Sequence, residues 1–366
     1  MLLREGCEPR CRGCAHRLLD AAASAAQKQE WLARRLAPWA QRLAPLCAVR
    51  GEERWGYRDK VALSAQWSAQ AGWRFGLWVG RELVAIPHCP VHSPRVRAMV
   101  ALLMAALPPA DEFPLRFYVQ AGAQATLVLK SACEPNAGWL DAAAQAALAA
   151  AGIEGLWLNL HPAAGRRLFA KRGWRLLWGQ SRSRDDQGLV YEPGAFQQLI
   201  PALYRQSVDE AEAFLAPRPG DAVVDLYCGS GATLVRWQAR GACAVGVELG
   251  GAALECARLN APEAELLRGA CAQRLPQLRA WAQGQAVDLR LLYLNPPRTG
   301  VEPEVLAWVC QEYRPIRLAY LSCSAGTLAR DLRRLCAAGY EVERITPYDF
   351  FPQTYHVETL ALLRRG

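Results

Sequence analysis

The chain has 366 residues, 52% of them hydrophobic, and a net charge of +9. This length and composition exclude a disordered chain and favour two or more packed domains. No apolar run of about 18 residues is free of charged or helix-breaking residues, so neither a membrane span nor a secretory leader is predicted, and we expect a cytoplasmic protein.

Residues 1–190 carry a net charge of +10 and residues 191–366 a net charge of −1. This asymmetry favours a polyanion-binding front on a neutral unit, although an arginine-rich composition without function gives the same pattern.

Cysteines cluster at the start of the chain. Cys7, Cys11 and Cys14 form a C-x3-C-x2-C pattern, and Cys89 follows in His-Cys-Pro. The 13 cysteines are an odd number, and a reducing compartment disfavours disulfides. Three close cysteines and one distant partner can bind a structural zinc ion or an iron–sulfur cluster, and the spacing does not choose between them.

The remaining elements predict three regions. Residues 18–46 show helical spacing, as one amphipathic helix or two helices broken near Pro38. From Tyr57 to about Trp178, strand-like runs alternate with turns and with two helices, near residues 95–107 and 138–151, which predicts a mixed α+β domain. After Gly188 the pattern becomes strand, glycine turn and helix, repeated, which is typical of a doubly wound parallel sheet. We therefore predict a cysteine-cluster segment at 1–50, with its fourth ligand at residue 89, a central α+β domain at 51–188 and a Rossmann-like α/β domain at 189–366.

The first strand of the carboxy-terminal region ends in a glycine-rich turn, Asp225-Leu-Tyr-Cys-Gly-Ser-Gly231. Glycine lets the backbone approach a nucleoside closely, and the helix that follows offers free amides. The next strand ends at Glu248, whose carboxylate can accept hydrogen bonds from both ribose hydroxyls. The dinucleotide pattern G-x-G-x-x-G is absent, because Leu234 stands three residues after Gly231. We therefore favour an adenosine-containing cofactor of the methyltransferase type over a dinucleotide or a purely structural turn.

Two later strands bring further chemistry to the same edge of the predicted sheet. One is followed by the rigid turn Asn295-Pro-Pro-Arg298-Thr-Gly, and the other delivers Cys323 just before a helix that is expected to begin near Thr327. Ligands bind at the carboxyl ends of strands in open α/β sheets. A helix start can lower the pKa of a thiol and favour the thiolate, although a cysteine at this place can also be a core residue.

Four ordered motifs resemble those of the uracil-5 RNA methyltransferases, which depend on S-adenosylmethionine. They are the glycine-rich turn from Asp225, the Asn-Pro-Pro-Arg-Thr-Gly turn from Asn295, the segment Leu-Ser-Cys323-Ser-Ala-Gly-Thr-Leu-Ala-Arg-Asp, and Asp349-Phe-Phe-Pro-Gln-Thr-Tyr-His-Val-Glu358. A further family-like segment, Tyr-Arg-Asp-Lys, begins at residue 57. The resemblance implies methyl transfer to carbon 5 of a uridine in RNA and covers most of the chain.

The resemblance also implies roles for single residues. Cys323 would be the nucleophile that adds to carbon 6 of the uracil, and Glu358 would be the base that removes the proton from carbon 5. Without the resemblance, Glu358 reads as an exposed strand residue, and we interpret the neighbouring His356 as a packed residue. The cofactor contacts that it implies are Gln197, Tyr227, Gly229, Gly231, Glu248 and Asn295.

Some positions depart from the family. Asn295 stands where members usually have aspartate, and Ala232 and Leu199 stand where asparagine is common. Asparagine keeps an acceptor oxygen but loses the charge, so we expect weakened cofactor affinity with the chemistry intact. A diverged RNA-binding protein with a vestigial cofactor pocket is the alternative from a different functional class.

The layout most resembles the ribosomal-RNA branch of the family, in which the same cysteine arrangement holds a [4Fe–4S] cluster. It therefore favours iron–sulfur over zinc at Cys7, Cys11, Cys14 and Cys89, and 23S rRNA over a tRNA substrate. About 50 residues before Tyr57 leave too little room for the extra amino-terminal RNA-binding barrel of some members. Trp55, Tyr57, Trp67 and Trp73 are candidates for stacking on unpaired bases, with core packing as the alternative. No obligate protein partner is evident.

Overall fold

The structure is a computed structural model that describes residues 3–165, 167–195, 198–285 and 289–366. Contacts divide the chain into two compact units, one formed by residues 1–19 and 50–199 and the other by residues 20–49 and 200–366. No helix in the described ranges is long and apolar enough to cross a membrane.

The first unit contains a seven-stranded sheet in the order β3-β2-β1-β4-β5-β6-β7. Its strands are β1 (Lys60–Ser68), β2 (Gly72–Val79), β3 (Glu82–Ala85), β4 (Leu115–Ala121), β5 (Gln124–Leu129), β6 (Gly155–Leu160) and β7 (Trp174–Gly179). Neighbours are antiparallel except β5 and β6, which are parallel and are connected through a helix. The helices are α2 (Pro94–Ala106) and α3 (Ala142–Ala150), and the short strands β8 (Ser183–Arg184) and β9 (Val190–Tyr191) form a separate ribbon. Mixed α+β structure is therefore present in this unit.

The second unit contains a seven-stranded sheet in the order β12-β11-β10-β13-β14-β16-β15. Its strands are β10 (Ala222–Leu226), β11 (Cys243–Glu248), β12 (Glu265–Arg268), β13 (Arg290–Leu294), β14 (Arg317–Ser322), β15 (Tyr340–Tyr348) and β16 (Glu358–Arg365). The first five are parallel, and β16 runs antiparallel to both β14 and β15. Its helices are α1 (Ala21–Arg35), α4 (Pro201–Leu215), α5 (Ala232–Ala239), α6 (Gly251–Asn260), α7 (Leu275–Gly284), α8 (Pro303–Trp308) and α9 (Ala325–Ala337).

Helices cover both faces of this sheet. Leu292 and Leu294 of β13 pack into one core cluster with apolar residues of α1, α7, α8 and α9. Tyr293 alternates with them and contacts Trp237 of α5, with ring centroids 5.8 Å apart, on the opposite face. Every residue of β10 is buried, as expected for a parallel strand covered on both sides. The predicted doubly wound α/β fold is confirmed.

The observed division differs from the expected domains at two places. The helix α1 belongs to the second unit, because Leu32 and Leu36 are fully buried in its core cluster. The boundary falls at residues 199 and 200 instead of near 188, because the ribbon of β8 and β9 belongs to the first unit. The helical segment 18–46 is broken as one alternative expected, since α1 ends at Arg35 and a 3-10 helix spans Ala37–Arg42.

Candidate active site

The turn after β10 contains three residues in the left-handed region of backbone conformation. Tyr227, Gly229 and Gly231 all have positive φ angles, of 63°, 56° and 82°. A non-glycine residue in this region is strained, and such strain concentrates at functional sites. The turn leads directly into α5, whose first residue is Ala232 and whose cap is Gly231. The predicted glycine-rich turn therefore lies at the carboxyl end of a central strand.

Glu248 connects this turn to the end of β11. Its two carboxylate oxygens accept hydrogen bonds from the backbone amides of Gly229 (3.1 Å) and Gly250 (2.6 Å). The carboxylate is thereby held at a fixed place beside the glycine-rich turn. The structure brings Glu248 and Gly229 into contact, and their binding of a cofactor stays a prediction.

Tyr227 and Asn295 directly follow the adjacent strands β10 and β13 and lie at the same edge of the sheet. The Tyr227 hydroxyl donates to the Glu302 carboxylate, which precedes α8. Asn295 is half-buried directly after β13, and its amide donates to the carbonyl of Leu226 at 3.2 Å. Glu302 was missed from the sequence, because an acid just before a helix has no distinctive pattern. Gln197 lies outside the described residues.

The turn that carries Asn295 and Arg298 is braced from α9. Asp331 is fully buried, and its Oδ2 accepts hydrogen bonds from the Val301 amide (3.1 Å) and the Tyr320 hydroxyl (2.8 Å). A side chain at Gly300 is excluded, because its Cβ would lie 2.7 Å from the same oxygen. Arg330 adds a hydrogen bond to the carbonyl of Thr299 at 3.0 Å. Asp331 and Arg330 close a sequence motif that was recognised, but their supporting role was not.

Cys323 directly follows β14, and Glu358 is the first residue of the neighbouring antiparallel strand β16. Ser322 of β14 pairs with Thr359 of β16, and Cys323 and Glu358 are the next residues along this register. Cys323 is half-buried, whereas Glu358 is only 3% exposed. Glu358 is therefore not the exposed strand residue that its type alone would indicate. β14 is parallel to β13, and β16 is antiparallel to β14. The end of β14 and the start of β16 therefore lie at the same edge of the sheet as the turn that follows β13.

The electrostatics of Cys323 oppose the expectation from its position. Burial raises the pKa of its thiol, and the nearby Glu358 carboxylate raises it further, while Arg298 lowers it. The helix α9 begins at Ala325 with Ser324 as its cap, so Cys323 precedes the helix. The expected fall in this pKa is therefore wrong in its net direction. A thiol is the resting form at neutral pH, because the charged form is disfavoured by desolvation.

His356 is a packed residue, as interpreted from the sequence. Its ring contacts the rings of Phe351 and Tyr355, with centroids 5.8 Å and 4.4 Å away. Its backbone amide donates to the Thr354 hydroxyl at 3.1 Å. These contacts order the segment before Glu358.

The four amino-terminal cysteines come close together within the first unit. Burial, together with the neighbouring Cys89, Cys11 and Cys7, raises the pKa of the Cys14 thiol to about 11. The sulfur of Cys89 accepts hydrogen bonds from backbone amides two and three residues later. Within the described residues, no three His, Cys, Asp or Glu side chains are arranged so as to hold a metal ion.

A close backbone contact joins the two cysteine-bearing segments. Gly6 precedes Cys7 and has a φ of +78°, and a Cβ there would lie 2.3 Å from the carbonyl oxygen of His88. Only glycine therefore allows the segment before Cys7 to lie against the residue before Cys89. The Arg17 side chain donates to carbonyl oxygens of Cys11 and Pro9, which holds the intervening loop.

Comparisons with known proteins find uracil-5 methyltransferases. Residues 186–366 match the tRNA (uracil-5-)-methyltransferase family model. A 23S rRNA (uracil(1939)-C(5))-methyltransferase of Pseudomonas entomophila is 32% identical, over 98% of this chain and 78% of the relative. The corresponding enzyme of Thiobacillus denitrificans is 31% identical, over 98% of this chain and 85% of the relative.

A solved structure shares the fold. It is the Pyrococcus abyssi tRNA (uracil-54, C5)-methyltransferase in complex with S-adenosyl-L-homocysteine, with a TM-score of 0.72 and 21% identity, covering 97% of this chain and 86% of that one. The family model and the relatives that align over 98% of this chain agree. The chain belongs to the family of S-adenosylmethionine-dependent RNA uracil-5 methyltransferases.

Proposed function

We propose that this protein methylates carbon 5 of a uridine in 23S rRNA through a covalent intermediate on Cys323. The observation that carries the proposal is the proximity of Cys323 and Glu358, which flank the last paired residues of β14 and β16, Ser322 and Thr359, and influence each other electrostatically. A nucleophile and a base side by side, at the edge where the glycine-rich turn lies, supply the two groups that uracil-5 methylation requires.

The chemistry follows from the weak nucleophilicity of uracil carbon 5. The Cys323 thiol loses its proton to water, and the resulting thiolate adds to carbon 6. The electron pair displaced toward carbon 5 attacks the methyl group of S-adenosylmethionine, whose sulfur–methyl bond breaks and releases S-adenosylhomocysteine. Glu358 then takes the proton from carbon 5, the double bond between carbons 5 and 6 re-forms, and the carbon–sulfur bond breaks. The target base must leave its stack to reach both residues.

Arg298 and Glu358 act on the thiol in opposite directions. Arg298 favours the thiolate and Glu358 disfavours it. Arg298 lies on the turn braced by Asp331, so its position relative to Cys323 depends on that turn. We infer that the braced turn serves to keep a positive charge near the nucleophile while a negative base remains beside it.

Three residue groups support cofactor binding at the same edge. Glu248 is pre-oriented by two backbone amides and suits the ribose hydroxyls of S-adenosylmethionine. Gly229 leaves the turn open to the nucleoside, because a Cβ there would meet nothing within 4 Å, whereas Gly231 lets the turn pack against Ala257 of α6. Tyr227 and Asn295 follow the adjacent strands β10 and β13 at the same edge. Asn295 lacks the charge of the usual aspartate, and we propose weakened affinity with the chemistry retained.

The choice of 23S rRNA is supported by the relatives named for that substrate, which align over 98% of this chain. The tRNA enzyme with the shared fold is the specific observation for the second candidate, a tRNA substrate. Arg4 lies over the Trp55 ring at 4.8 Å in the first unit, which suits stacking on RNA bases. Trp73 is only 2% exposed, so it is a core residue.

We further propose that Cys7, Cys11, Cys14 and Cys89 hold a [4Fe–4S] cluster, with zinc as the alternative. The close contact of Gly6 with the His88 carbonyl joins the segments that carry Cys7 and Cys89, which supports a common site. Among the described residues the four side chains are not arranged around a metal ion in this structure. Anaerobically purified protein should absorb near roughly 400 nm, as thiolate-bound iron–sulfur centres do. A protein that contains stoichiometric zinc and lacks this absorbance would contradict the cluster.

The function is tested by product analysis. Unmodified 23S rRNA fragments and tRNA transcripts are incubated with the protein and S-adenosylmethionine, and the nucleosides are identified by mass spectrometry. We expect 5-methyluridine in the rRNA fragment with the wild type and none with Cys323→Ala. The matched control is Cys310→Ala, a half-buried cysteine outside the four motifs. Methylation of the tRNA alone would favour the second candidate, and calorimetry that detects no cofactor binding would indicate a diverged RNA-binding protein.

A further inference from the structure

The helix α1 buries a charged residue. Its buried positions are Ser24, Lys28 and Leu32, spaced by four residues, and the Lys28 side chain is 1% exposed. Removing an ammonium group from water is costly unless it is paired. The partners of Lys28 therefore indicate what this helix holds.

Those partners are at the start of the loop between β15 and β16, residues 349–357, which we call the base loop. The Lys28 Nζ donates to Asp349 Oδ1 at 2.5 Å and to the carbonyl of Phe351 at 3.1 Å. The Ser24 hydroxyl donates to the carbonyl of Pro352 at 3.4 Å. Two successive turns of α1 thus hold consecutive residues of the base loop.

The base loop connects these contacts to Glu358. Tyr348, which immediately precedes Asp349, is the strand partner of Glu358. Glu358 is the first residue after the loop, and both Asp349 and Glu358 are almost completely buried. Glu358 therefore follows a short loop whose first residues are hydrogen-bonded to Lys28.

An apolar side chain of similar volume would fill the same space without the desolvation cost. Buried ion pairs generally add little net stability relative to such a replacement, but they can select one conformation. Lys28 has two acceptors on the base loop, an acid and a main-chain carbonyl, so a shift of the loop breaks both hydrogen bonds. The pair is suited to fixing the path of the loop.

We propose that Lys28 is a positioning residue for Glu358, acting through the base loop on the proton-removal step. This inference rests on the proposed function. In that step Glu358 takes the proton of carbon 5, the electrons of that bond re-form the double bond, and the carbon–sulfur bond breaks to return the thiolate to Cys323. A displaced Glu358 slows this step and leaves the preceding addition and methyl transfer in place.

The test uses the full chain with the double variant Lys28→Met/Asp349→Asn, which removes the pair without leaving an unpaired buried charge. The substrate is RNA carrying tritium at uridine carbon 5, with S-adenosylmethionine labelled with carbon-14 in its methyl group. Released tritium reports proton removal, and carbon-14 in a denaturant-resistant protein–RNA complex reports the stalled intermediate. Gln27→Met, at an exposed position of the same helix, is the matched control.

We expect tritium release from the double variant to slow by about 10- to 100-fold, because small displacements of a reacting group have effects of this size. The methylated covalent complex should accumulate in the double variant and not in Gln27→Met. Ser24→Ala should give a smaller effect in the same direction, and it decides the question if the double variant does not fold. Equal slowing of methyl transfer and tritium release, or no change in a folded variant, would overturn the inference. If the wild type itself neither methylates the RNA nor forms the complex, the proposed function fails, and this inference fails with it.

Discussion

Replacement of Asp331 by alanine tests whether α9 braces the Asn-Pro-Pro-Arg turn. The change removes the acceptor of two buried donors, the Val301 amide and the Tyr320 hydroxyl, and both residues are at most 3% exposed. A buried donor that loses its acceptor costs about 1–3 kcal/mol, so Asp331→Ala should lower the free energy of unfolding by about 3–5 kcal/mol. Asp331→Asn keeps an acceptor oxygen and should cost only about 1–2 kcal/mol.

The control separates this brace from the ion pair with Arg330. The Arg330 side chain is 46% exposed, and exposed pairs contribute less than about 1 kcal/mol. Urea unfolding of the full chain gives the free energies, and hydrogen exchange in peptides that include Val301 reads the local effect. We expect faster exchange of this amide in Asp331→Ala and little change in Arg330→Ala. Asp331→Ala within 1 kcal/mol of wild type, or Asp331→Asn as damaging as alanine, would refute the reasoning.

Three further predictions concern charge at the site. The raised pKa of Cys323 predicts that its alkylation rate, followed by peptide mapping, increases with pH into the alkaline range. Glu358→Gln should shift this profile to lower pH, and Arg298→Gln should shift it to higher pH. Identical profiles would contradict the assigned causes. Burial raises the pKa of Asp225 to about 7. Its protonated form therefore stabilises the fold below the unfolded pKa, and that stability is lost as the pH rises through about 7. Asp225→Asn should remove about 4 kcal/mol of this pH dependence in urea unfolding, and an unchanged slope would count against it. Glu248→Gln should weaken cofactor binding about tenfold by calorimetry, because one of its two amide contacts is lost, whereas Glu255→Gln on the exposed face of α6 should not.

The local patterns of the second unit predicted most of its sheet. β10, β11, β13 and β14 are mostly buried apolar runs bounded by turn residues, so their strand type follows from the sequence pattern, whereas their order in the sheet comes from the structure. The position of α1 could not be predicted in this way, because helical spacing identifies a buried face without identifying what covers it. Lys28 illustrates the difficulty, since a lysine on that face reads as exposed until Asp349, far along the chain, is placed beside it.

The motifs identify Cys323 and Glu358 as candidates, and their roles stay predictions. Their proximity depends on β16 being inserted antiparallel between β14 and β15. This arrangement sets a carboxylate near the thiol, which no local pattern around Cys323 reveals. The direction of the pKa shift therefore follows from tertiary packing.

The central claim is that Cys323 forms a covalent bond to the uracil ring. The most direct test incubates the protein with RNA that carries 5-fluorouridine at the target position and with S-adenosylmethionine, followed by mass spectrometry of the digested complex. Fluorine cannot be removed as a proton, so the reaction should stall after methyl transfer. We predict a methylated 5-fluorouracil adduct on the peptide that contains Cys323, absent from Cys323→Ala. A modified RNA product without any adduct, or an adduct on another cysteine, would contradict the account.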